Sequence, residues 1–130
     1  MKVGCPKEIK SQEFRVGLTP AAVNELVRRG HFVTIETNAG QGAGFVDSDY
    51  EKEGAEIVGS AKEVFYKADM IVKVKEPQAI ERKMLRSGQL LFTYLHLAPD
   101  PEQTHDLIDS GCTAIAYETV TDLNGGLPLL

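Results

Sequence analysis

The sequence predicts an α/β fold: an open, mostly parallel sheet of the flavodoxin or Rossmann kind, with helices on both faces. Two observations carry this. Short strand-forming runs alternate with helix-punctuated segments in the order β-α-β-α from one end to the other. The runs themselves are mostly apolar, as strands covered on both faces are, and do not show the in-out alternation of a half-solvated sheet.

The first strand is Lys2–Cys5. Residues 6–18, PKEIKSQEFRVGL, follow with neither helical nor strand periodicity, and connections of this length in compact domains are often functional. Thr19-Pro20 then supplies an N-cap and a first-turn proline, apolar residues recur at 22, 23, 26 and 27, and Gly30 closes the helix. A second strand spans Phe32–Thr37. Asp47 can cap a short helix ending at Gly54, ahead of a brief strand at Glu56–Val58. Ser60 with Glu63 three residues on has the capping-box pattern, which opens another helix. The fourth strand is Asp69–Val74, and Pro77 can start a helix closing near Gly88. Gln89–Leu95 is the fifth strand. Asp100-Pro101 with Gln103 opens a helix that carries Leu107 and Ile108 inward and stops at Gly111, before a last strand at Thr113–Tyr117.

A chain of 130 residues with 42% hydrophobic content holds one domain and one substantial core. Its 14 basic and 19 acidic residues leave a net charge of -5, with no basic block longer than a pair such as Arg28-Arg29. Nucleic acid and anionic membrane are poor partners for that surface. The start MKVGCPKEIK has no apolar signal core, and nothing approaches the roughly 18 apolar residues of a membrane span. A cytoplasmic protein is expected. Cys5 and Cys112 read as small buried hydrophobes that are not bridged. Three histidines scattered at 31, 96 and 105, with no CxxC or HExxH, give a metal site no support. His31 and His105 read as ordinary surface residues. The apolar finish LPLL has no helix stop or polar tail, which suggests that the natural chain continues.

Open parallel sheets place ligands beyond the carboxyl ends of their strands. That rim collects Lys7, Glu8, Glu13 and Arg15 after the first strand and Lys75 and Glu76 after the fourth. His96 comes after the fifth and Glu118 after the sixth. Cations and an imidazole from separate segments would suit a small anionic carbonyl compound. The tract MIVKVKEPQ sharpens this, because lysines ending a buried strand are costly to leave dry. Lys73 is expected to snorkel or to pair with Glu76; Lys75 either snorkels to the rim or faces a ligand. In NAGQGAGF, Gly40, Gly42 and Gly44 follow a strand and mimic a dinucleotide loop, but the fingerprint needs glycine where Phe45 or Asp47 stands. It reads as a mobile turn, so the chain lacks its own nucleotide-phosphate cradle.

The segments GCPKEIKSQEFRVGLTPAAVNELVRRGH, ETNAGQGAGF, VKVKEP, LFTYLHLA and IAYETV with LPLL resemble the amino-terminal part of alanine dehydrogenases, a family that also holds the proton-pumping nicotinamide nucleotide transhydrogenases. The resemblance covers the whole chain; one departure is Gln12 before Glu13, where the family typically has Asn-Glu. It implies the substrate domain of a two-domain enzyme whose NAD-binding domain and carboxyl-terminal helices lie outside these residues. A chain of this length alone would then expose apolar surface and self-associate. The full-length form is expected to be a homo-oligomer, with a hexamer as a candidate size. Lys in the KVKEP tract and His in the YLHLA tract separate dehydrogenases from transhydrogenases, which favours NAD-dependent oxidation of L-alanine to pyruvate and ammonium. A transhydrogenase domain, a lysine-forming saccharopine dehydrogenase-like enzyme and a non-catalytic binding module are the alternatives. The roles implied are Arg15 gripping the substrate carboxylate, Lys75 stabilising the carbonyl or carbinolamine oxygen and His96 moving protons, with Glu13 and Glu118 as candidates to orient them.

Overall fold

A computed structural model describes residues 1–130, and its six strands form one sheet: β1 (Lys2–Cys5), β2 (Phe32–Glu36), β3 (Glu56–Val58), β4 (Met70–Val72), β5 (Leu90–Thr93) and β6 (Thr113–Ala116). Every pairing is parallel, and the spatial order is β3-β2-β1-β4-β5-β6. The order reverses between β1 and β4. Connections leaving those two neighbours therefore diverge, and a crevice opens at their carboxyl ends.

Five helices cover the sheet: α1 (Pro20–Arg28), α2 (Asp47–Lys52), α3 (Ala61–Lys67), α4 (Ala79–Arg82) and α5 (Pro101–Ser110). Strand side chains alternate between faces, so the sheet has two apolar layers. One joins Val3, Cys5, Val33 and Ile35 to Val23 of α1 and Tyr50 of α2. The other joins Ile71 and Leu91 to Val64 and Phe65 of α3 and Leu107 of α5. Burying each such side chain contributes about 1.5–3 kcal/mol, so both layers are needed for a stable domain. Gly4 lets α3 sit directly on β1, since a Cβ there would come within 2.7 Å of Val64 Cγ1.

Capping follows the sequence at three helices. Thr19 Oγ1 accepts from Ala22 N–H, Ser60 Oγ from Glu63 N–H and Asp100 Oδ1 from Gln103 N–H. At α2 the expectation is corrected: Val46 is the capping residue, while the Asp47 carboxylate accepts from Thr37 Oγ1–H at 2.6 Å and Asn38 N–H at 2.8 Å. Asp47 therefore pins the loop after β2. The helix after Pro77 is also shorter than expected, one turn from Ala79 to Arg82. Ile108 does not point inward. It is 69% exposed, because Gln103 and Leu107 at i and i+4 define the buried face and the next residue turns away from it.

Four strands end earlier than the sequence predicts: β2 at Glu36, β4 at Val72, β5 at Thr93 and β6 at Ala116. β4 stops at Val72, although Lys73 N–H still donates to Phe92 O and Tyr94 N–H to Val74 O, so the ladder fades into the loop. After Ala116 the chain turns into a single 3-10 turn at Tyr117–Thr119. Cys5 is fully buried and its thiol is pushed up to about 12 by that burial; Cys112 is half-buried, and neither is bridged. No helix is long and apolar enough to cross a membrane.

Candidate active site

Four segments converge at the carboxyl ends of the central strands. The loop of residues 6–18 is held down by close approach: Gly17 lies against β4, where a Cβ would meet Val72 O at 2.7 Å, and Tyr50 Oη–H donates to Leu18 O at 3.0 Å. At its tip Gln12 takes φ 62, a left-handed conformation that turns Glu13 and Arg15 toward the crevice. Arg15 donates from Nε to Glu13 Oε1 at 2.8 Å and from Nη2 to Glu13 Oε2 at 2.6 Å. Those hydrogen bonds hold the Glu13 carboxyl at about 2, well below its ordinary range, with the Lys75 charge adding to the effect. A guanidinium has five N–H donors, so the Nη1 edge of Arg15 stays open to another carboxylate.

The tract 73–78 forms the second wall. Lys73 is not at the surface and not paired with Glu76, contrary to the sequence reading. It is fully buried, and its Nζ lies 3.2 Å from Glu8 Oε2 and 2.8 Å from Glu81 Oε1. Glu76 pairs instead with Lys10. Burial works against the Lys73 charge, but the two carboxylates outweigh it and raise the ammonium's pKa. Glu8 is raised by its burial, with Lys73 and the Val74 N–H opposing. Lys75 is half-buried and belongs to none of the ion pairs in the molecule.

His96 follows β5 with φ 48, a conformation that L side chains rarely adopt. Glu118 explains how it is held: its Oε1 accepts from Leu95 N–H at 3.0 Å and His96 N–H at 2.6 Å. Burial pushes the Glu118 carboxyl up, but these backbone donors outweigh it and hold the group below its usual range. Glu118 thus orients the backbone that carries the imidazole.

The structure places Lys75, His96 and Glu118 around one cavity of about 300 Å³. Arg15 lines a neighbouring cavity of about 360 Å³ with Lys73, Phe45 and Tyr117, and Tyr94 forms part of the wall of both. Arg15 and Glu13 also border a third space of about 300 Å³ toward Asn38 and Gln41. The predicted cations and the imidazole therefore occupy adjoining cavities separated by Tyr94. Sequence reasoning missed Tyr94, Tyr117 and Glu81. Tyr94 had a signal, since its alternation in LLFTYLH places an aromatic next to the rim, while nothing local marks Glu81 as a partner of Lys73.

The glycine run has a packing role. Gly42 accommodates Phe14, whose carbonyl would lie 2.6 Å from an added Cβ, and Gly40 accommodates Tyr50 Oη at 2.5 Å. Residues 41–43 form a 3-10 turn closed by Gly44 at φ 87. These contacts explain the glycines at 40 and 42 by close packing of Tyr50 and Phe14. No group of His, Cys, Asp and Glu in the molecule could hold a metal ion.

Fold and crevice together define the class: a doubly wound α/β domain with a charged mouth at its topological switch point. The family model described as alanine dehydrogenase/PNT, N-terminal domain matches residues 4–130, and the chain belongs to that family. It is 54% identical, over all its residues, to alanine dehydrogenases of Halomonas elongata and Mycobacterium tuberculosis. It spans 35% of the length of each. Among solved structures, an L-alanine dehydrogenase superposes with a TM-score of 0.95 at 56% identity, over 98% of this chain and 35% of that one. A transhydrogenase from Sinorhizobium meliloti superposes with a TM-score of 0.88 at 31% identity, over 95% of this chain and 35% of that one.

Proposed function

We propose that this chain is the substrate domain of a longer, cytoplasmic, NAD-dependent alanine dehydrogenase, and that an NAD-binding domain and carboxyl-terminal helices complete it. The reaction is L-alanine + NAD⁺ + H₂O → pyruvate + NH₄⁺ + NADH + H⁺, reversible. The observation that carries the reading is the cavity shared by Lys75 and His96, in which the ammonium has no ion-pair partner. A half-buried ammonium outside any salt bridge is free to donate to an anion or to a developing negative charge.

Arg15 receives the substrate carboxylate on its Nη1 edge while Glu13 fixes the other edge, so the guanidinium is set before substrate arrives. Lys75 donates a hydrogen bond to the carbonyl or carbinolamine oxygen and offsets its negative charge. His96 takes a proton from the attacking water and returns one to the leaving nitrogen. Tyr94, standing between the cavities, bounds the room for the substrate side chain.

Similarity favours this reading over a transhydrogenase, since the identity is 56% to the dehydrogenase structure against 31% to the transhydrogenase. The full-length protein, assembled as a homo-oligomer, is assayed with L-alanine and NAD and, separately, for hydride transfer between two nicotinamides. Alanine-dependent NADH formation supports the reading. Transfer between nicotinamides with no response to alanine rejects it.

A further inference from the structure

Lys73 is fully buried, and so are the two carboxylates against it: the side chains of Lys73, Glu8 and Glu81 are 1%, 2% and 1% exposed. Each carboxylate divides its oxygens in the same way. Glu8 places Oε2 3.2 Å from Lys73 Nζ and accepts the Val74 N–H on Oε1 at 2.7 Å. Glu81 places Oε1 2.8 Å from Nζ and accepts the Gln78 N–H on Oε2 at 2.8 Å. Val74 and Gln78 flank Lys75 on its two sides.

A buried ion cluster is a weak source of stability, because desolvation cancels most of the attraction and apolar side chains of similar volume often do as well. Apolar replacements could not hold two backbone N–H groups. Beyond Lys73 the neighbouring strand reaches only the tract's carbonyls, Tyr94 N–H donating to Val74 O at 3.1 Å and Thr93 Oγ1–H to Lys75 O at 2.9 Å. Pro77 has no N–H to contribute, and the Val74 and Gln78 N–H groups are met by Glu8 and Glu81. Glu8 also belongs to the loop that carries Arg15, whereas Glu81 belongs to α4 and touches only the Lys75 side.

We propose that Glu8, Lys73 and Glu81 are positioning residues: one buried ammonium locks two carboxylates, and their outer oxygens clamp the backbone on either side of Lys75. Glu8 in addition ties the Arg15 loop to that segment. The inference rests on the reaction proposed above, and it adds a division of labour. Glu81 sets Lys75, and so turnover; Glu8 sets the placement of Lys75 relative to Arg15, and so turnover and substrate affinity together.

The test uses the full-length enzyme with Glu8→Ala, Glu8→Gln, Glu81→Ala and Glu81→Gln, measuring kcat, the KM for pyruvate and Tm. Glu81→Ala is expected to lower kcat by about 10- to 100-fold with KM nearly unchanged, and Glu8→Ala to lower kcat and raise KM, the usual scale for groups that hold a reacting side chain in place. The glutamine variants keep an acceptor for each backbone N–H and should restore kcat to within about threefold of wild type. Alanine variants that lower Tm but leave kcat and KM unchanged would overturn the proposal, as would glutamine variants as impaired as the alanine ones. Should the alanine variants fail to fold, the test rests on Glu8→Gln and Glu81→Gln, each of which keeps an acceptor for its backbone N–H and leaves the other carboxylate on Lys73. A kcat more than about tenfold below wild type in either folded variant would contradict the clamp. If wild type shows no alanine turnover, the proposed function fails separately. The clamp is then read by amide exchange at Val74 and Gln78, which Glu→Ala should accelerate and Glu→Gln should not; equal rates in all variants would dismiss it.

Discussion

Lys73 Nζ lies 3.2 Å from Glu8 Oε2, across the point where the strand order of the sheet reverses. The two residues are 65 positions apart in the chain, and their contact joins the loop after β1 to the loop after β4. Arg15 and Lys75 belong to those same two loops. Where the guanidinium and the ammonium sit relative to each other is therefore decided in the buried layer beneath them.

Arg15→Lys in the full-length enzyme should raise the KM for pyruvate by about tenfold or more with a smaller change in kcat. A single point charge replaces a planar fork that Glu13 holds on one edge. Steady-state kinetics at saturating NADH and ammonium check this. An unchanged KM would return Arg15 to the protein surface.

His96→Asn should lower kcat by about 10²-fold or more, the usual contribution of a positioned proton-transfer group. Asparagine is chosen because it tolerates the left-handed backbone at this position, φ 48, so the Glu118 hydrogen bonds to Leu95 and His96 N–H survive. Thermal melting should show a near-normal Tm alongside the lost turnover.

Glu13 carries a pH dependence whose sign is set by Arg15. Hydrogen bonds from Arg15 depress its folded pKa to about 2, below the ordinary 4.5. Its stabilising contribution is thus complete above about 4.5 and is lost as pH falls through about 2. Melting temperatures of wild type and Glu13→Gln across that window should converge toward its acid end. Glu8 works in the opposite sense, since burial raises its carboxyl and protonation relieves that cost.

Gln12→Asn should stabilise the protein by about 0.5–1 kcal/mol, because asparagine enters the left-handed region more readily than glutamine and φ here is 62. Chemical denaturation of the two proteins measures the difference. The same geometry accounts for the asparagine that the family resemblance places at this position.

The alternation of strands and helices was legible because it is local. Thr19 with Ala22, Ser60 with Glu63, and Asp100 with Gln103 each report a helix start through a bond only a few residues long. Ile108 is exposed because the buried face of α5 is the narrow one that Gln103 and Leu107 share, and an apolar residue type does not by itself say which side of that stripe it falls on. Lys73 illustrates the other limit. A lysine in an apolar run announces that a carboxylate must be near, but its partners, Glu8 and Glu81, are chosen by the β1–β4 pairing and the turn into α4. The rim residues Arg15, Lys75 and His96 could be ordered along the chain by the rule that loops at strand ends build the site. That Tyr94 would separate them into adjoining cavities required the positions of the loops.

The most direct measurement is the turnover of L-alanine by full-length Lys75→Ala against wild type at matched thermal stability. The account predicts that NADH formation falls by about 10²-fold or more, the scale for removing one charge-stabilising donor. Alanine oxidation at the wild-type rate in a folded Lys75→Ala protein would contradict it.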